Sequence, residues 1–319
     1  MKFKIITILV LLIAGLSLFV SGCTDSGTSS DNETAGQGAE VSGTDEPMTV
    51  AVSILPLAEF VEKVGGDKVK TIVIIPSGAD PHTYESSPKE VQAISEASML
   101  VTVGVGMPFE EVWIDRFGTI NSDTLIVNCS KGIELRELAK HDEKLETHTE
   151  EENDGDHEGL DPHIWTSPAN AKMMVEDIYE GLVQLDPENE AYYAQNRDSY
   201  LEELDALDAR IRAKLAGREE RNFMVYHPSW GYFAAEYGLT MIPVEIEGKE
   251  PSAQDLAKLV DIAKEKKVKV IFVQTQFSTR SADVLAEEIG GEVVAVDPLA
   301  KDYIANMDNV SDVFARNIV

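Results

Sequence analysis

The chain has 319 residues, of which 43% are hydrophobic, and this is enough for a substantial core and two compact domains. Asp and Glu total 57 residues against 27 Lys and Arg, so the formal net charge is −30. Such a charge would repel a phosphate backbone and argues strongly against a nucleic acid as partner. It is compatible with cations as ligands, although an acidic surface more commonly serves only solubility.

The first 23 residues predict an export signal followed by a lipid attachment site. Two lysines precede an apolar run over residues 5–20 that is too short for a comfortable membrane-spanning helix. The run ends in Val20-Ser21-Gly22-Cys23, which resembles the lipobox of prokaryotic lipoproteins. We therefore predict a signal peptide at residues 1–22 and lipidation of Cys23. The alternative is a plain signal peptide or an uncleaved anchor.

The segment after Cys23 is rich in Ser, Gly, Thr, Asp and Glu and contains almost no apolar residue. It cannot bury enough surface to fold, so we predict a flexible tether over residues 23–47. The only other cysteine, Cys129, lies at the end of an apolar run. This predicts a buried, inert thiol, with neither a disulfide framework nor a thiolate metal cluster.

Short apolar runs alternate with helical patterns in two blocks, which favours two parallel α/β lobes at residues 48–187 and 217–319. Most runs are continuously apolar, as expected for strands covered on both faces. The predicted strands are Thr49–Ile54, Val69–Ile75, Met99–Val103, Leu125–Asn128, Phe223–Tyr226, Leu239–Val244, Val268–Val273 and Val293–Val296. The predicted helices cover residues 56–65, a segment that begins at Ser87-Pro88, 252–266 and 279–289.

The region between the two blocks is predicted to be helical only. Ser167-Pro168 begins one helix, and residues 188–216 carry no strand signal. Gly217 follows as a helix stop. One face of the second helix is marked by Tyr193, Tyr200, Leu204, Leu207, Ile211 and Leu215. A helix of this extent would span about 40 Å, and we predict that it is a rigid strut that connects the lobes.

The segment Lys140–Glu158 interrupts the regular pattern. It is dense in Asp and Glu, has no apolar period and contains His141, His148 and His157. We predict a mobile loop that gathers cations weakly; the alternative is a solvated insertion without a role.

The other three histidines lie in turns that proline marks: Asp80-Pro81-His82, Asp161-Pro162-His163 and His227-Pro228. His82 and His227 follow predicted strands, and so does Asp297 in Asp297-Pro298-Leu299. Ligands of open α/β sheets bind beyond the carboxyl ends of the strands, so these side chains could converge in a cleft between the lobes. Three imidazoles and one carboxylate suit tetrahedral zinc, whereas manganese favours a set richer in oxygen. Any one of these histidines could instead be a turn or core residue.

Motifs along the chain resemble the zinc and manganese substrate-binding lipoproteins of ATP-binding-cassette (ABC) importers, the cluster A-I receptors. The resemblance runs from about Met48 to the C-terminus in family-like order. Its segments are Gly78-Ala79-Asp80-Pro81-His82-Thr83-Tyr84-Glu85, Asp161-Pro162-His163-Ile164-Trp165, Tyr226-His227-Pro228-Ser229-Trp230-Gly231-Tyr232-Phe233, Gln276-Phe277-Ser278 and Val296-Asp297-Pro298-Leu299.

The resemblance implies an extracytoplasmic, monomeric receptor with two lobes, a backbone helix and a metal site in the interlobe cleft. Its ligand positions fall on His82, His163, His227 and Asp297. Manganese receptors of the family typically carry Glu at the third position, so His227 favours Zn²⁺ as the transported ligand over Mn²⁺. Some members have an acidic residue where this chain has Pro81, which leaves Asp297 or a water as the fourth ligand. The implied partners are an ABC permease and, through the anchor, the membrane.

Two further functions compete with transport. A zinc hydrolase would also use three histidines, but it needs a positioned general base, and the motif His-Glu-x-x-His does not occur in the sequence. A surface adhesin could use the same fold, and the sequence does not exclude this as an added role. We predict a receptor and not an enzyme, because Asp297 in the fourth position would close the site.

Overall fold

The computed structural model describes residues 46–139, 159–218, 221–245, 249–277 and 279–318. The predicted signal peptide, Cys23, most of the tether and the acidic loop with His141, His148 and His157 lie outside these residues. Among the described helices, none combines the length and the apolar composition that crossing a membrane requires.

The first lobe is built on a parallel four-stranded sheet with the order β2-β1-β3-β4. Its strands are β1 (Met48–Val52), β2 (Val69–Val73), β3 (Met99–Thr102) and β4 (Leu125–Asn128). Its helices are α1 (Leu55–Gly65), α2 (Pro88–Ser95), α3 (Pro108–Ile120) and α4 (Pro168–Leu185). Helix α2 begins as predicted, since Ser87 and Glu90 form a reciprocal capping box. Cys129 is completely buried after β4, which confirms its predicted burial, and burial raises the pKa of its thiol.

The second lobe repeats this arrangement, with the strand order β6-β5-β7-β8 and parallel pairing throughout. Its strands are β5 (Asn222–Val225), β6 (Thr240–Pro243), β7 (Val270–Val273) and β8 (Glu292–Ala295). In each sheet the first strand of the lobe has the second strand on one side and the third on the other. The crevice between the first and third strands, where the strand order reverses, is the usual ligand-binding point of such folds. The two-lobe α/β fold predicted from the sequence is therefore confirmed.

The predicted strut is α5 (Glu190–Leu215), a helix of 26 residues and about 39 Å in length. The six residues predicted to mark its apolar face are all buried. The helix packs against α1 and α4 of the first lobe and against the last helix of the second lobe. The remaining helices are α6 (Gly231–Glu236), α7 (Ala253–Glu265), α8 (Arg280–Ile289) and α9 (Tyr303–Asn317).

Hydrogen bonds also tie the two lobes together beside α5. Glu59 of α1 accepts a hydrogen bond from the Tyr200 hydroxyl on α5 at 2.8 Å and another from the backbone N–H of Tyr303 at the start of α9. The Tyr303 hydroxyl in turn donates to the carbonyl of Trp165 at 2.8 Å. Because all four residues are buried, these contacts fix the position of the 161–167 turn against both lobes.

Candidate metal centre

Three histidines from different parts of the fold meet at the carboxyl ends of the strands. His227 follows β5 by two residues, at the point where β6 and β7 flank that strand on opposite sides. His82 lies in the segment between β2 and α2, and His163 immediately precedes the 3₁₀ turn Ile164–Thr166 that leads into α4. One imidazole thus comes from each lobe and the third from the turn before α4.

The ring nitrogens of the three histidines face one another. Nε2 of His227 lies 3.2 Å from Nε2 of His82 and 3.3 Å from Nε2 of His163. The potential ligand atoms of all three residues lie within 4.8 Å of one another, and this set is the one metal-ligand group found among the described residues. Nitrogen ligands around tetrahedral zinc at about 2.0–2.1 Å are about 3.3 Å apart, so the observed spacing suits such an ion.

The cavity at the three rings is small and largely apolar. It has a volume of about 10 Å³, roughly the room of one water-sized sphere. His163 and His227 are buried. His82 as a whole residue is exposed, although its Nε2 atom faces the other two rings. Apart from the histidines, the cavity lining includes Met107, Trp165, Gln274, Phe277 and Leu299. A site of this size can hold one ion but has no room for an organic substrate.

Two buried carboxylates hold two of the imidazoles through their Nδ1 atoms. Asp161 Oδ1 accepts hydrogen bonds from Nδ1 of His163 at 2.7 Å and from its backbone N–H at 2.9 Å. Nδ1 of His227 lies 3.2 and 3.3 Å from the two carboxylate oxygens of Glu245. A proton on Nδ1 leaves the Nε2 lone pair free for a metal, which is the common arrangement for metal-binding histidines.

The surroundings of His82 and His163 favour the neutral form of their rings. Loss of solvation, with repulsion by the other two imidazoles, lowers the pKa of His82 to about 3. Burial also lowers the pKa of His163, although the Asp161 carboxylate opposes this shift. Only neutral imidazole can bind a metal, so the lowered pKa values favour the form of these two rings that could do so.

Asp297 is not a member of the histidine group. Its Oδ1 accepts hydrogen bonds from the backbone N–H of Leu299 at 2.9 Å and from Nε2 of Gln276 at 3.2 Å. It lines a neighbouring small cavity with Pro76 and Gly78 of the first lobe. Its role as fourth ligand, like the ligand roles of the three histidines, stays a prediction.

The sequence motifs predict no separate role for Asp161 and do not point to Glu245. The contact of Asp161 could have been found from the sequence, because Asp161 stands two residues before His163. Its carboxylate accepts from the backbone N–H two residues later, as in an Asx turn. The other carboxylate oxygen, Oδ2, would lie only 2.4 Å from a Cβ atom at position 231. Gly231 has no Cβ and so leaves room for the carboxylate. Glu245 has no such signal, since its relation to His227 depends on the pairing of β5 with β6.

Comparison with known proteins is consistent with this geometry. The family model described as "ZnuA: Zinc-uptake complex component A periplasmic" matches residues 50–317. The high-affinity zinc uptake system protein ZnuA of Bacillus subtilis (strain 168) is 33% identical over 291 residues, which cover 90% of this chain and 86% of that protein. The manganese-binding lipoprotein MntA of Halalkalibacterium halodurans is 29% identical over 300 residues, which cover 89% of this chain and 94% of that protein.

Among solved structures, a crystal structure of ZnuA superimposes with a TM-score of 0.78 at 39% sequence identity, covering 86% of this chain and all of that one. These relatives are transport components and not enzymes, as predicted. The family model matches most of the chain, and the motifs around His82, His163 and His227 lie inside the matched region. This chain therefore belongs to the ZnuA family of periplasmic components of zinc uptake.

Proposed function

We propose that this protein is an extracytoplasmic receptor that binds one zinc ion through His82, His163 and His227 and delivers it to an ABC-type importer. The observation that carries this proposal is the convergence of three Nε2 atoms at 3.2 and 3.3 Å. His163 and His227 are both held by carboxylates at Nδ1, so their Nε2 lone pairs face each other and repel unless a cation lies between them. Asp297 or a water completes the coordination.

The donor set supports zinc over manganese. Three imidazole nitrogens are borderline-soft ligands that suit zinc, and manganese prefers carboxylate and water oxygens. The two carboxylates nearest to the rings, Asp161 and Glu245, hold the imidazoles by hydrogen bonds at Nδ1. Because one relative is a manganese-binding lipoprotein, manganese is the alternative cargo. Titration with both metals distinguishes the two.

The arrangement also supports binding and release, with no chemical step on a substrate. Both buried carboxylates lie at Nδ1, on the side of each imidazole away from Nε2, and so are not placed to take a proton from a zinc-bound water. Separation of the lobes would withdraw His82 of the first lobe from His227 of the second and so weaken the site. The long helix α5, which packs against both lobes, would limit this motion.

The remaining parts of the proposal concern segments outside the described residues. Cys23 carries the lipid that anchors the receptor, which acts as a monomer at the membrane. The loop Lys140–Glu158 collects cations weakly and passes them to the histidine site. Mass spectrometry of the membrane-extracted protein tests the lipid on Cys23, and an unmodified thiol there would refute the anchor.

Metal titration of the purified, metal-free mature chain tests the function. We expect one equivalent of Zn²⁺ to bind tightly in competition with a chelator, and Mn²⁺ to bind more weakly, because the ligands are nitrogen atoms. A variant that lacks residues 140–158 should keep the tight equivalent and lose only weaker ones. Equal affinities for the two metals, or the absence of a tight zinc equivalent, would refute the proposed cargo.

The pH dependence of zinc affinity follows from the lowered pKa values. An ordinary histidine has a pKa of about 6.5, but that of His82 is lowered to about 3 and that of His163 is lowered as well. A lowered pKa favours the neutral, metal-binding form, so protons compete with zinc at these two rings only below the usual histidine range. We expect affinity to fall only gently between roughly pH 7 and 5, as measured by competition titration. Release of three protons per bound zinc near pH 6 would contradict these pKa values.

A further inference from the structure

Glu245 and His227 stand opposite each other at the carboxyl ends of adjacent strands. Strands β5 and β6 pair with Val225 opposite Pro243, and the same offset two residues later brings His227 opposite Glu245. The pairing continues past the strand ends, because the backbone N–H of Glu245 donates to the carbonyl of Tyr226 at 3.0 Å. The backbone position of Glu245 is therefore set by the register of the sheet.

The carboxylate of Glu245 is aimed at the rear of the His227 ring. Both of its oxygens lie within 3.3 Å of Nδ1, and the residue is 91% buried. Phe277 stacks on the ring at a centroid distance of 4.9 Å and an interplanar angle of 21°. The hydrogen bond fixes which nitrogen carries the proton, and the stacking fixes the plane of the ring. Together they direct Nε2 toward His82 and His163.

The three imidazoles are not equivalent in this respect. His163 is held in the same manner by Asp161, whereas no hydrogen bond joins the His82 ring to a carboxylate among the described residues. Two rings thus form a fixed pair on the buried side of the site, and the third comes from an exposed residue of the first lobe. The pair is preorganised for an ion before His82 closes on it.

We infer that Glu245 is a positioning residue of the metal site, which holds His227 as the Nδ1–H tautomer with Nε2 directed at the ion. This inference rests on the proposed function. Glu245 is not itself in the group of potential ligands, so its removal acts through His227. Outer contacts of this kind typically contribute about 10- to 100-fold to metal affinity.

The test uses Glu245→Leu, Glu245→Gln and, as a matched control in the same lobe, the exposed Glu288→Leu. In the Zn²⁺ competition titration, Glu245→Leu should bind about 10- to 100-fold more weakly than the unmodified chain, and Glu288→Leu should bind equally well. Glu245→Gln should lose less affinity than the Leu variant, because its side-chain carbonyl still accepts from Nδ1–H. If Glu245→Leu does not fold, the zinc affinity of Glu245→Gln still tests the proposal.

A second readout needs no metal. Nitrogen NMR of the metal-free protein reports the tautomer of His227, which should be Nδ1–H in the unmodified chain and in Glu245→Gln and should shift toward Nε2–H in Glu245→Leu. A folded Glu245→Leu variant with unchanged zinc affinity or an unchanged tautomer would overturn the positioning role, and so would a Glu245→Gln variant with unchanged zinc affinity. If the unmodified chain failed to bind zinc while the tautomer shifted as expected, the proposed function would fail and the positioning role would stand.

Discussion

Replacement of His227 by Ala should remove tight zinc binding. His227 is the central member of the histidine group, since its Nε2 lies within 3.3 Å of Nε2 in both His82 and His163. Structural zinc sites bind with about 10–16 kcal/mol shared among four ligands, so the loss of one ligand costs roughly 3 kcal/mol, or about a hundredfold in affinity. Calorimetric titration of Zn²⁺ with a competing chelator measures the change.

The chain offers a matched control for this experiment. His148→Ala makes the same chemical change in the acidic segment, and it should leave the tight equivalent untouched. His163→Ala should behave like His227→Ala, because both rings are buried and held by carboxylates. Wild-type affinity in His227→Ala, or a loss as large in His148→Ala, would show that the tight site lies elsewhere.

The strands could be predicted because their hydrophobic pattern is unambiguous, but their ends could not. Ile54 and Ile75 fall in predicted strands, yet β1 ends at Val52 and β2 at Val73. Both isoleucines remain at most 3% exposed after the chain has left the sheet. Hydropathy reports burial, and burial here extends beyond the sheet into the connections that lead toward the site.

Helix α9 was not among the helices predicted from the sequence. Its buried residues Tyr303, Met307, Val310 and Phe314 recur at helical spacing, so a periodic signal was present. By contrast, α6 has only six residues, too few for a periodic signal to be recognised. The strut α5 was identified correctly because its long apolar stripe has no competing strand pattern.

The residues of the candidate site also divide into those that the sequence predicts and those that it does not. His82, His163 and His227 could be found because each stands in a local motif with proline, and the strand-end rule brings them together. Glu245 could not, since its partner lies 18 residues away and is reached only through the register of two strands. The Asp297 contact with the Leu299 amide is local, as in an Asx turn, but its contact with Gln276 lies 21 residues away and no sequence pattern predicts it.

Replacement of Trp165 by Ala should cause the largest loss of stability among changes near the site. Trp165 is 1% exposed, and its ring packs at 5.3 Å from that of His163. Its Nε1–H donates to the carbonyl of Pro298 at 2.7 Å, and its own carbonyl accepts from the Tyr303 hydroxyl. Trp165→Ala removes a large buried side chain, so we expect a loss of about 3–5 kcal/mol in the free energy of unfolding. Urea denaturation of the metal-free protein measures it.

Two further variants separate packing from hydrogen bonding. Trp165→Phe keeps an aromatic ring but leaves the buried Pro298 carbonyl without its donor, which should cost about 1–3 kcal/mol. Val284→Ala, at a position 47% exposed on α8, should change stability by less than about 0.5 kcal/mol. Because Pro298 follows Asp297 directly, the loss of this hydrogen bond should also loosen the loop that holds Asp297. If zinc affinity in Trp165→Phe stayed equal to that of the unmodified chain, the metal site would be independent of the position of that loop.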